Sequence, residues 1–216
     1  TGLRALAVGP RDLTAPRATL LRAVGALGGW GVPFVASNLV CAEESAALCR
    51  AVVAYGAPPA VLTTSFGRVA VVSALGATTL DQLARERARG LRLHDPAEAL
   101  SDATRAARRA GARWVVGVFD PASADPLRES LTVASAVDPE ARPDVLLVND
   151  VTGVVTQAVA PRSGLRVVAT RPQQALVVDV GATVQTTPPI LGLPSQELVD
   201  GVDALHDHLC RTEANP

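Results

Sequence analysis

The chain has 216 residues, enough for one domain or one domain with a tail. Its net charge of -1 gives no reason to expect a nucleic-acid or anionic-membrane partner, and no apolar run approaches the ~20 residues that span a bilayer. Hydrophobic residues make up 48% but aromatic ones only 3%, so the core has to be built from Val, Leu and Ala.

All the basic residues are Arg and none is Lys, which reads as a coding bias and not as a binding device. There is no Met, so Thr1 is read as a processed end or the edge of a longer chain. The three cysteines, Cys41, Cys49 and Cys210, form no CxxC or CxxCH. If Cys41 opened the helix that carries Cys49, the two would lie roughly 12 Å apart, too far for a disulfide. A Cys49–Cys210 bridge stays open, and small buried apolar residues are the plainer reading.

In chain order, Leu3–Val8 reads as a short strand stopped by Gly9-Pro10. Thr14-Ala15-Pro16 opens a helix, with Thr14 as N-cap, that runs to about Leu27 and stops at Gly28-Gly29. Pro33–Leu39 is a second strand, and Glu43–Tyr55 has an apolar side that predicts a helix. Ala60–Thr64 and Arg68–Leu75 form a hairpin around Ser65-Phe66-Gly67. Thr79–Arg89 is a helix, and so is Ala97–Ala110, which Asp95-Pro96 opens and Gly111 ends.

Two runs then organise the chain. Arg113–Asp120 (RWVVGVFD) and Pro143–Asp150 (PDVLLVND) are nearly continuous apolar stretches closed by an acid, which predicts neighbouring central strands buried on both faces. Asp125–Ala136 between them includes a short helix. Beyond them, Leu165–Thr170, Ala175–Val180 and Thr183–Thr187 read as strands, and Ser195 caps a last helix, Gln196–Cys210. The alternation gives an α/β class with mixed sheets. The domains expected are 1–187 and, as proline-rich connector and C-terminal helix, 188–216. Ligands on such folds bind beyond the carboxyl ends of the strands, where Asp120 and Asp150 stand.

The order of these pieces resembles the catalytic domain of the 5'-nucleotidase branch of the calcineurin-like metallophosphoesterases. Ala5-Leu6-Ala7-Val8-Gly9-Pro10-Arg11-Asp12 stands where that family has a strand and then Gly-Asn-His-Glu. Val32-Pro33-Phe34-Val35-Ala36-Ser37-Asn38 looks like its Pro-Phe-Leu-Ser-Ala-Asn strand, and Phe66–Val72 like its Gly-Val-Lys-Val-Gly-Val-Ile hairpin. Asp95-Pro96-Ala97-Glu98-Ala99 with Gly111-Ala112 is similar to the segment before Val-Leu-Ser-His, and Asp144-Val145-Leu146-Leu147 to the strand before Gly-Gly-His-Thr-His. The resemblance runs over residues 3–180, and the family's first motifs, Asp-x-His and Gly-Asp, would lie upstream of Thr1.

The resemblance implies a sandwich of mixed sheets flanked by helices, and a phosphohydrolase that clamps phosphate with two divalent ions. At each ligand position that the chain covers, the residue differs. Pro10 replaces a metal-bridging Asn and offers no donor atom. Arg11 replaces the catalytic His and cannot shuttle a proton. Asp120 falls on the His of Ser-His, and Asp150 and Thr152 fall on the two His of His-Thr-His. The expectation is therefore a pseudoenzyme with no catalytic residue and no cofactor, acting as a binding or structural subunit with a protein partner or larger assembly. Extracytoplasmic location follows from the resemblance alone. An oxygen-only cation site from Asp12, Asp120, Asn149 and Asp150 is conceivable, the alternative being that these acids cap turns. If no ion is present, Arg11 is expected to pair with Asp12, Asp120 or Asp150. Two other readings stay open: a phosphohydrolase completed by an upstream segment or partner chain, and an unrelated α/β domain binding a small molecule. Neither His206 and His208, two apart on a helix, nor the isolated His94 suggests catalysis.

Overall fold

The computed structural model describes residues 4–41, 59–64, 67–83, 88–149 and 156–170, all within one compact unit, Arg4–Pro172. The expected helices at 43–55 and 196–210, the strands at 175–180 and 183–187, the domain boundary at 187 and the residues Asp150 and Thr152 lie outside the described residues.

The described strands begin with four short or edge segments: β1 (Leu6–Ala7), β2 (Phe34–Val35), β3 (Leu39–Cys41) and β4 (Ala60–Thr64). They continue with β5 (Gly67–Leu75), β6 (Leu91–Leu93), β7 (Trp114–Asp120), β8 (Val145–Asn149), β9 (Thr156–Val159) and β10 (Arg166–Thr170). A mixed six-stranded sheet dominates this α/β unit, with the order β4-β5-β7-β8-β10-β9. β5, β7, β8 and β10 run parallel, while β4 and β9 pair antiparallel at the edges. The expected hairpin is β4–β5, and the two acid-ended runs are neighbours at the centre. Among the described residues, two two-stranded sheets accompany it, β1 with β2 and β3 with β6.

Alternate residues of a strand face opposite sides, and that rule divides the sheet. Val72, Val115, Phe119, Leu146, Val148 and Val167 are fully buried on one side, packed with Leu100 and Ala107 of one helix and Val133 and Ala134 of another. A fully buried side chain of this size contributes ~1.5–3 kcal/mol, so this layer holds the sheet together. On the opposite side, Val116 and Val118 are only half-buried. The expectation of burial on both faces therefore holds for the helix-covered face and is weaker on the other.

The helices follow two different patterns. α1 (Pro10–Thr14) and α2 (Arg17–Gly29) precede β2, whereas α3 (Pro96–Arg109) and α4 (Pro126–Ala136) flank β7. α3 starts as its sequence dictates: Asp95 accepts from the Ala97 and Glu98 N–H groups at 2.9 Å, and Pro96 takes the position where no N–H is needed. Ala97, Leu100, Thr104 and Ala107 recur on one face and are buried. α4 repeats the device with Asp125, whose side chain accepts from the Arg128 N–H at 3.1 Å.

The N-terminal helices correct the sequence reading. Pro10 does not merely end β1; it opens the short α1, and α2 starts after Pro16 with no side-chain cap. Thr14, expected as the cap, donates instead to the Arg11 carbonyl at 2.7 Å within α1. Thr79–Gln82, the start of the expected helix Thr79–Arg89, form a 3-10 turn, while Ala88 near its end is helical and residues 84–87 lie outside those described. Leu20, Val24 and Leu27 of α2 bury against Val8, Phe34 and Leu75 in a second core. Cys41 is not a helix start but the end of β3, and it is disulfide-bonded to a residue outside those described. The separation of roughly 12 Å expected between Cys41 and Cys49 rests on helical spacing, which the strand removes at Cys41. Among the described residues, no helix is long and apolar enough to cross a membrane.

Candidate functional site

Register brings the site together. Phe119 pairs with Val148 in the parallel β7–β8 ladder, so the next residues, Asp120 and Asn149, finish side by side at the carboxyl ends. β1 lies parallel to β2 and delivers Gly9 and α1 toward the same acid. A Cβ built on Gly9 would lie 3.1 Å from Asp120 Oδ2 and 3.7 Å from Asp12 Oδ2, so both carboxylates converge on this glycine. Three of the expected site residues, Asp12, Asp120 and Asn149, are thus placed together.

Two hydrogen bonds hold the pair. The Gly9 N–H donates to Asp12 Oδ2 at 2.8 Å, and Asn149 Nδ2 donates to Asp120 Oδ1 at 3.3 Å. Burial pushes the Asp12 carboxyl above its ordinary pKa, and the Gly9 bond opposes that. Asp120 is also raised, first by burial and further by the Asp12 charge; the Asn149 bond and, more weakly, the Arg11 charge pull it back. Both acids therefore carry a desolvation cost that their present partners only partly offset.

Arg11 is exposed on α1, and among the described residues it makes no ion pair with Asp12 or Asp120. Its expected pairing with either acid is corrected accordingly; Asp150, the third candidate, lies outside the described residues. α1 turns its third residue, not its second, back onto Gly9, and this sends Arg11 outward. Pro10 stands at the start of the helix with no donor atom to offer.

Sequence reading missed several residues that shape these strand ends. Asn38 is fully buried; its Oδ1 accepts from the Leu75 N–H at 2.9 Å, and its Nδ2 donates to the Leu75 carbonyl at 2.8 Å and the His94 carbonyl at 3.3 Å. It staples the end of β5 to the segment entering α3. Buried Ser73 donates to the Val35 carbonyl at 2.6 Å and ties β5 to β2. Glu129 of α4 accepts from the N–H groups of Ala122 and Ser123 at 2.9 and 2.7 Å, fixing the loop that leaves Asp120. Gly76 N–H donates to the Asp120 carbonyl at 2.8 Å, and its missing side chain matters: a Cβ there would lie 2.6 Å from the Ala122 backbone nitrogen. An acid beyond Asp120 could have suggested the loop clamp only if α4 had been known to turn back on the loop.

What this arrangement can hold follows from its donors. Among the described residues, no three His, Cys, Asp or Glu side chains converge as a metal-binding group. Asp12 and Asp120 are hard oxygen donors, but the Asn149 amide presents its N–H₂ to Asp120. The described set does not fit a pair of divalent ions.

No protein-family model matches the sequence, and no curated protein matches it. Solved structures do. The chain superposes on the sulfate thiohydrolase SoxB of Thermus thermophilus with a TM-score of 0.64 at 19% identity, over 93% of this chain and 35% of that one. For a 5'-nucleotidase precursor from Thermus thermophilus the TM-score is 0.57 at 15% identity, covering 85% and 37%. For the NAD nucleotidase NadN of Haemophilus influenzae it is 0.55 at 12%, covering 79% and 34%. The chain thus has the fold to which the sequence resemblance pointed, and it spans little more than a third of the length of these structures.

Proposed function

We propose that this domain is a degenerate metallophosphoesterase-like unit that hydrolyses nothing and serves as a binding or structural part of a larger assembly. The observation that carries the reading is the start of α1. Pro10 has no donor atom, and Arg11 is a fixed cation turned to solvent, so neither can ligate an ion or move a proton. No resident metal belongs to this reading. The remaining acids are held by a backbone N–H and an amide instead. The Cys41 disulfide supports placement in an oxidising, extracytoplasmic compartment.

The test is hydrolysis of nucleotides and generic phosphoesters by the purified chain with added Mn²⁺, Zn²⁺ or Mg²⁺. No turnover above background is expected. Metal-dependent turnover that disappears in Asp120→Ala would overturn the reading. One observation favours a rival, a phosphohydrolase completed by an upstream segment or partner chain: Asp12 and Asp120 are raised together at the strand ends, as acids at working sites often are.

A further inference from the structure

A groove with a volume of about 650 Å³ runs beside α4 to the turn between β9 and β10. None of the strand-end acids lines it. Among the described residues, half-buried Leu127 and Leu131 with exposed Ala136 and Pro161 give it an apolar surface, Thr132 and Ser135 add hydroxyl groups, and exposed Arg128 and Arg162 bring two cations. Leu131 continues directly into the main core, so the apolar surface is backed there by packed protein.

Arg128 and Arg162 differ from three committed arginines of the unit and resemble exposed Arg11 and Arg109 in lacking side-chain hydrogen bonds and ion pairs among the described residues. Arg105 binds Asp102 and Asp138, Arg108 binds Asp144, and Arg142 donates to the Ser163 carbonyl. Among the described residues, the guanidinium groups of Arg128 and Arg162 have no hydrogen-bond or ion-pair partner, and both residues are exposed. Asp125, the acid that shares the lining with them, commits an oxygen to the Arg128 N–H as the cap of α4. The groove therefore joins an aliphatic surface to two uncommitted planar cations.

That combination selects its occupant. A guanidinium binds a carboxylate bidentately, while its methylene stem lies along apolar surface. The apolar surface asks for an aliphatic side chain between the charges. A nucleic acid would want aromatic platforms and a broader basic surface, and the lining contains no aromatic residue. The groove is broad and open, whereas a small ligand is normally enclosed over most of its surface.

We infer that this groove docks an acidic segment of a partner protein, with carboxylates against Arg128 and Arg162 and a bulky aliphatic side chain over Leu127 and Leu131. The inference rests on the reading of the domain as a binding unit and names where, and by what chemistry, it binds. Loss of catalysis is tested at the strand ends and docking at α4, on separate residues, so either reading can fail without the other.

The probe is a short fluorescein-labelled peptide of repeated Glu-Glu-Leu-Leu, titrated against the full chain by fluorescence anisotropy. Peptides with Gln or Lys in place of Glu are run beside it. The acidic peptide should bind saturably and lose affinity as salt is raised. It should weaken at least about tenfold, or ~1.4 kcal/mol, in the Arg128→Glu/Arg162→Glu double variant and recover in part with Lys at both positions. Amide shifts on binding should map to α4 and residues 160–164. Both arginines are exposed, so the reversal leaves folding intact, which the thermal transition checks. Equal binding of the Glu and Gln peptides, unchanged binding in the double variant, shifts confined elsewhere, or no binding of any peptide would overturn the inference. So would equal displacement by an oligonucleotide or by anionic phosphatidylglycerol vesicles, which would show a general anion patch.

Discussion

At the end of the sheet where β8 begins, Asp144 accepts two bonds from Arg108, at 2.9 and 2.8 Å, and one from the Val115 N–H at 2.6 Å. At the end where β7 and β8 finish, Asp120 has one long amide bond, at 3.3 Å, and a second carboxylate close by. The same residue type closes both ends of one sheet, under opposite terms. Asp144 is compensated and acts as a fastener between strands. Asp120 is desolvated without adequate compensation, and natural proteins tolerate such a cost mainly where function set it or once did.

The contrast can be broken at three points. Asp144→Ala should have the largest effect, because it strips the acceptor from the N–H of a fully buried residue, Val115. A loss of about 1–3 kcal/mol is expected in chemical denaturation. Most of it comes from the orphaned N–H, since the Arg108–Asp144 pair has side chains 37% and 25% exposed and contributes modestly. A loss that disappears at high salt would trace to the ion pair alone and remove the distinction between the two ends.

Asp120→Asn should act in the other direction. The native state holds the Asp120 proton more tightly than the unfolded chain does, so wild-type stability falls as pH rises from the ordinary carboxylate value through the raised one. At neutral pH the variant should be more stable by ~0.5–2 kcal/mol, the range of other single stabilising changes. The advantage should vanish once the pH drops below the ordinary carboxylate value, where both states are protonated. Thermal melts of the two proteins across that window decide it; a variant less stable at neutral pH means that Asp120 is stabilised by a partner beyond the described residues.

The smallest effect belongs to Arg11→Ala. An exposed residue without an ion pair to these acids should change stability by no more than about 0.5 kcal/mol. Because its charge lowers the Asp120 pKa slightly, its removal should move the Asp120 titration upward. A large loss of stability would mean that Arg11 is bonded in solution to an acid, and that the strand ends are compensated after all.

Much of the fold was legible because its signals are local and redundant. Asp95-Pro96 fixes the start of α3 by cap and ring together, and the Val-rich runs that became β7 and β8 admit few other uses. β3 and β6 were not legible: three residues each, they are strands because Leu39–Cys41 meets Leu91–Leu93 across the chain, and no local pattern encodes that meeting. The antiparallel edge strand Thr156–Val159 was missed for the same reason. At the site, the convergence of Asp12, Asp120 and Asn149 followed from strand ends and resemblance. Which atoms satisfy them did not, because Arg11 and Asp12 differ by one position on α1, and one position on a helix turns a side chain by about 100°.

The order of pairing along the sheet also bears on how it is made. β4–β5 and β9–β10 are hairpins between neighbours in sequence, while β5–β7, β7–β8 and β8–β10 join strands separated by intervening segments. Local hairpins close quickly, and parallel pairings must first meet the entropy of closing their loops. The slow step of folding is therefore expected at the middle of the sheet, between two flanks that close locally. The strand ends holding Asp120 and Asn149 come together only when that central zipper has closed, so the site has no existence in any partly folded chain that has yet to join β7 to β8.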